Sequence, residues 1–182
     1  MTVRGISRGM SVWNISAINY KLLICYYRMV HFLKPSELGT TSIQVACGAY
    51  HSAVITNDRR AFMWGLNKSG QCGIGEKTDT VTQPRPVAFK SGVRVSMLAC
   101  GRNHSLALLE NGSVWAWGAS GLGRLGIQDT PKNVHKPMEI VQFRGTVCRS
   151  LACGDFHSLA VTKDATVYSW GQGVVGFVYV CK

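Results

Sequence analysis

Acidic residues are scarce in this chain. There are nine Asp and Glu against twenty Lys and Arg, for a formal charge of +11 over 182 residues. The few carboxylates fall at no spacing that suggests a paired acid and base, and neither G-x-S-x-G nor H-E-x-x-H occurs. No C-x-x-C occurs among the seven cysteines, and their odd number argues against a disulfide framework. Reduced thiols and an intracellular location are the expectation. Long apolar runs are also missing. The stretch LLICYYRMVHFL is broken by Arg28 and His31 and is too short to span a bilayer. It follows about twenty mixed residues, which does not fit a signal peptide. The positive charge is spread along the chain, and Arg59-Arg60 is the one basic doublet. A generally basic surface explains it. An acidic protein partner or nucleic acid is the sharper reading, although no RNA or DNA motif supports the latter.

What is present is a repeat. VACGAYHSAVIT (45–56), LACGRNHSLALL (98–109) and LACGDFHSLAVT (151–162) are offset by 53 residues each time. The step places Gly48, Gly101 and Gly154 in register, and likewise His51, His104 and His157. Trp64-Gly65, Trp117-Gly118 and Trp170-Gly171 keep it too. Within a unit the apolar period is two. Glu110-Asn111-Gly112-Ser113 reads as a hairpin, because a tight turn calls for positive φ. Asn57–Arg60 and Lys163–Thr166 take that place in the other units. A Gly-rich loop follows each Trp-Gly, then a Pro-bounded strand (PVAF, PMEIVQF), then VSMLAC or CRSLAC leading into the next unit. Four short strands per unit, with no room for a long helix, is the size of a propeller blade.

Two nucleotide-like motifs dissolve on inspection. GLGRLG (121–126) matches G-x-G-x-x-G, with Glu139 at a plausible ribose-binding distance. Two prolines follow within eleven residues, so no helix can hold a pyrophosphate. Gly121 also aligns with Lys68 and Val174, which makes the first glycine an accident of one unit. In GQCGIGEKT, Glu76 stands where a phosphate loop needs Lys. No cofactor is expected.

The segments Cys47-Gly48-Ala49-Tyr50-His51-Ser52 and Trp64-Gly65-Leu66-Asn67-Lys68-Ser69-Gly70-Gln71-Cys72-Gly73, with their counterparts one and two steps on, resemble the repeats of the RCC1 (regulator of chromosome condensation) family. The resemblance covers residues 41–182 and implies an all-β fold of propeller blades. The family's seven blades would need about 371 residues, so the chain is expected to be an incomplete propeller. The expected division is an unassigned segment at 1–29, the tail of a preceding blade at 30–46, then units at 47–99, 100–152 and a truncated 153–182. The last strand of the third unit is expected beyond residue 182. Val174, Val175, Phe177, Val178 and Val180 would be an aggregation hazard, and self-association or further blades would be needed to cover the open sector.

The recurring Gly, His and Trp residues are expected to be structural. Each imidazole should bond to backbone at a blade turn beside a small thiol, and each Trp should anchor a blade. A Cys-x3-His zinc site would need four ligands around one ion, and equivalent positions in neighbouring blades lie too far apart. The residues that vary between units, Tyr50, Arg102-Asn103 and Asp155-Phe156, are the candidate partner-binding set, since binding is grafted onto loops of a rigid scaffold. The family implies a protein-interaction scaffold. It also implies, for some members, nucleotide exchange on a Ran-like small GTPase without covalent chemistry. Chromatin binding through the basic charge is a third reading.

Overall fold

In the computed structural model, residues 13–14, 41–89, 92–173 and 179–181 are described. A two-residue strand, β1 (Trp13–Asn14), pairs with β2 (Ser42–Cys47). β2 continues through β3 (His51–Thr56), β4 (Ala61–Leu66) and β5 (Thr80–Val87) as one antiparallel sheet. A second sheet holds β6 (Val95–Cys100), β7 (His104–Leu109), β8 (Val114–Ala119) and β9 (Asn133–Glu139). A third holds β10 (Cys148–Cys153), β11 (His157–Thr162), β12 (Val167–Gly171) and β13 (Tyr179–Cys181). The fold is all-β, and the described residues form three blades and no closed ring. The helical content among them is two single turns, at Gly121–Gly123 and Val141–Phe143.

Two details of the sequence reading change. The third sheet has its fourth strand within the chain: β13 pairs with β12 at Ser169–Tyr179. The apolar hazard at 174–178 lies outside the described residues. The strands VSMLAC and CRSLAC each open a sheet instead of closing the previous one, because Val95 pairs with Leu109 and Cys148 with Thr162. The sheets therefore begin at 42, 95 and 148, five residues ahead of the cysteines used to phase the repeat.

Alternation sets the stacking. In β7, Ser105, Ala107 and Leu109 point to one face, and His104, Leu106 and Leu108 to the other. All six are buried, so this sheet is covered on both sides. First and second strands of neighbouring sheets lie against each other. Aromatic rings lock the outer part of the stack. Phe89 meets Trp115 and Trp117 edge-on, each with centroids 5.9 Å apart. Phe143 meets Tyr168 edge-on at 5.2 Å and Trp170 at a tilt at 5.5 Å. The third sheet's far face is less protected: His157 is exposed, and Leu159 and Val161 are half-buried, where His104, Leu106 and Leu108 are buried.

All three hairpins place positive φ at the same step: Arg59 (65°), Gly112 (84°) and Ala165 (67°). Only the middle turn uses the residue suited to it. The left-handed region costs an L-residue roughly 1 kcal/mol. Replacing Ala165 by Gly is therefore expected to stabilise the chain by up to about 1 kcal/mol, read as a higher denaturant midpoint at unchanged slope.

Candidate functional site

In an antiparallel sheet, the turn after the first strand and the loop after the third emerge at the same end. Turns 48–50, 101–103 and 154–156 therefore share one end of the stack with loops 67–79 and 120–132. The turn is clamped to the loop through its carbonyl. Tyr50 O accepts from Leu66 N at 2.8 Å, Asn103 O from Ala119 N at 2.8 Å, and Phe156 O from Gln172 N at 2.9 Å. The glycine after each Trp makes room for this. A Cβ on Gly118, where φ is +104°, would sit 2.5 Å from Asn103 O.

Beneath this end runs a side-chain bridge between sheets. His51 Nε2 lies 2.8 Å from Ser105 Oγ, and His104 Nε2 lies 3.0 Å from Ser158 Oγ. The serine hydroxyls donate onward to Gln71 O and Arg124 O, each at 2.8 Å. With the hydroxyl proton used there, Nε2 must be the protonated nitrogen of each imidazole. The same two carbonyls accept from Trp117 Nε1 at 2.9 Å and Trp170 Nε1 at 3.0 Å. The imidazole thus bonds to a serine of the next sheet, not to backbone at its own turn. The expectation was too local: a ring facing the neighbouring sheet meets that sheet's side chains first.

Burial fixes the charge state of these histidines. It lowers His51 to about 4, and burial together with the Arg124 charge lowers His104 to about 3. Both are neutral at pH 7. A group whose folded pKa is depressed below its unfolded value of about 6.5 stabilises the fold fully above pH 6.5 and loses that contribution as pH falls. From pH 7 to pH 5, each histidine is expected to remove roughly 2 kcal/mol. Urea melts across this range report it, and stability that stays flat would contradict it.

The candidate partner residues divide. Arg102, Asp155 and Phe156 are brought together: Arg102 Cζ lies 5.6 Å from the Phe156 centroid, and Arg102 is 3.9 Å from the Asp155 carboxylate. Asn103 faces Gln71 instead, with amide groups 3.5 Å apart. Tyr50 is half-buried on the first turn. Arg124 joins the cluster although sequence reasoning left it out. Its Cζ is 4.9 Å from the same Phe156 ring, its Nε donates to Gly121 O at 2.7 Å, and it is only 7% exposed. Burial, and then the nearby Arg102 charge, lower its pKa. The signal was readable, since Arg124 stands where the first unit has Gln71.

A second basic cleft lies between loop 67–79 and the start of β9, lined by Lys68, Lys77, Lys132, His135 and Asp79 among others. Lys68 pairs with Asp79 at 3.6 Å with both side chains well exposed, so water and salt screen it. Among the described residues no group of three His, Cys, Asp or Glu could hold a metal ion, and no helix is long and apolar enough to cross a membrane.

Models of the regulator of chromosome condensation (RCC1) repeat match this chain at 58–108 and 111–161, and a second form matches at 43–71, 95–124 and 148–176. Human Alsin is 37% identical over 138 residues, covering 72% of this chain and 8% of Alsin. Protein pim1 of Schizosaccharomyces pombe is 38% identical over 163 residues, covering 80% of this chain and 30% of pim1. The chain thus spans less than a third of each. The crystal structure of Saccharomyces cerevisiae Prp20p superposes with a TM-score of 0.65 at 29% identity, over 71% of this chain and 33% of Prp20p. With its matched repeats, its three antiparallel blades and the recurring Gly, His and Trp contacts between them, the chain belongs to the RCC1 repeat family.

Proposed function

We propose that this chain is a protein-interaction scaffold that binds a partner protein through the turn-and-loop end of its blades. The observation that carries the reading is a division of labour. The recurring Gly, His, Ser and Trp residues are spent on joining sheets, while Arg102, Asp155 and Phe156 gather at the loop end. A rigid stack presenting dissimilar side chains on successive turns suits recognition better than covalent chemistry.

The test uses a protein microarray probed with the full chain and with a variant whose turns all carry Ala49-Tyr50. Proteins bound by the first and lost by the second are expected. If the variant binds the same set equally well, the loop end is not the recognition surface.

A second reading, regulation of a Ran-like small GTPase, draws on the family resemblance. Prp20p, a relative, has binding properties toward Gsp1p and histones. Acceleration of labelled GDP release from any member of a small-GTPase panel would favour it over a passive scaffold. The third sheet's exposed far face also supports self-association, which light scattering on the purified chain would detect.

A further inference from the structure

The junction between the second and third blades carries a feature the first junction lacks. Arg102 and Arg124 share one aromatic ring, Phe156, at 5.6 and 4.9 Å. The corresponding positions of the first junction hold Ala49, Gln71 and Asn103. One exposed carboxylate, Asp155, lies 3.9 Å from Arg102, and no carboxylate pairs with Arg124 among the described residues. The cluster stays net positive, and cation–π contact offsets only part of the repulsion. Beside it in the same loop, Leu122 is 55% exposed and held at φ 63°, between Gly121 and Gly123. Ser69 occupies that position in the first blade. A large apolar side chain, strained and presented to water next to a cationic ring cluster, has the make-up of an interface anchor.

We propose that Arg102, Arg124, Phe156 and Leu122 form a docking site for an acidic segment of a partner protein, with a carboxylate against the two arginines and an adjacent aliphatic side chain against Leu122 and Phe156. This rests on the scaffold reading and names the chemistry of its partner. Two arginines and two apolar side chains at one spot fit a mixed acidic and aliphatic peptide. A phosphate backbone would have no use for the leucine and would be followed by basic residues along its path.

The repeat supplies clean variants. Arg102→Ala, Arg124→Gln and Leu122→Ser each install the residue that the first blade already carries. At position 124 any side chain retains the main-chain carbonyl that accepts from Ser158 and Trp170, while Arg124→Gln gives up the bond to Gly121 O and the contact with Phe156. The full chain is panned against short random peptides displayed on phage, and enriched peptides are then labelled for anisotropy. Enriched sequences are expected to pair Asp or Glu with an aliphatic residue. Their affinity should fall about tenfold or more in the Arg102→Ala/Arg124→Gln chain, measured at a temperature where circular dichroism shows both chains folded, and weaken with salt. Leu122→Ser should also weaken them. The proposal is overturned if no peptide is enriched, if enriched peptides lack acidic residues, if the variants bind them equally well, or if an oligonucleotide binds more tightly than the peptides. If microarray partners survive Arg102→Ala/Arg124→Gln but are lost on Tyr50→Ala/Asn103→Ala, the scaffold reading stands and this site falls.

Discussion

Trp117→Ala will remove about 4 kcal/mol of stability, most of what a marginally stable stack holds. The indole is fully buried, so truncation leaves a large cavity, and Trp→Ala in a core costs about 3–5 kcal/mol. Three further losses converge on it. Phe89 loses its edge-on partner at 5.9 Å, Gln71 O loses a hydrogen bond of 2.9 Å, and the second blade loses an anchor to the first. Stabilities of single domains are typically about 5–15 kcal/mol, and an incomplete stack sits toward the low end. Circular dichroism with urea should show the midpoint collapsing. A loss below about 1 kcal/mol would mean the two blades do not share this core.

Gly101→Ala is the second large effect, from the smallest of side chains. A Cβ on Gly101 would lie on the His104 ring and 2.8 Å from Gly154 O. The ring cannot yield without leaving Ser158, and the carbonyl belongs to the next blade. Overpacking plus the broken bridge comes to about 3 kcal/mol. The mechanism predicts strong non-additivity. With the imidazole already removed by His104→Ala, adding Gly101→Ala should cost far less. Equal cost in both backgrounds would show that the glycine is needed for some other reason.

The repeat and its fold were legible because every blade solves the same contact problem with the same residues. A glycine under an imidazole and a glycine under a carbonyl recur wherever a turn is clamped, so Gly48, Gly65 and their counterparts recur 53 residues apart. The partner of each histidine was less visible, though its signal was present. Each of the three recurring histidines, His51, His104 and His157, is followed by Ser, and neighbours in a strand point to opposite faces. The His of one sheet therefore meets the Ser of the next, 54 residues on. Reading the imidazole as bonded to its own turn ignored that geometry.

Sheet phase was misread because a cysteine at the end of a strand marks the repeat without marking where the hydrogen-bonded sheet begins. β13 was missed because FVYVCK departs from the repeat, while strand pairing asks only for a β-prone edge segment. At the loop end, the variable residues Arg102, Asp155 and Phe156 lie together. Arg124 is harder to see, because the loop that folds over the turn differs from its first-blade counterpart at most positions and Arg for Gln is one change among many.

The blades are joined through the His–Ser–carbonyl–Trp bridge, and the proposed recognition role of the turn residues builds on that division. The measurement that reaches this most directly is a double-mutant cycle across the second junction. Urea melts of His104→Ala, Ser158→Ala and the double variant give the coupling between two side chains in different sheets. The bridge predicts a coupling of about 1 kcal/mol or more, with each single substitution destabilising. Strict additivity, with zero coupling, would contradict it.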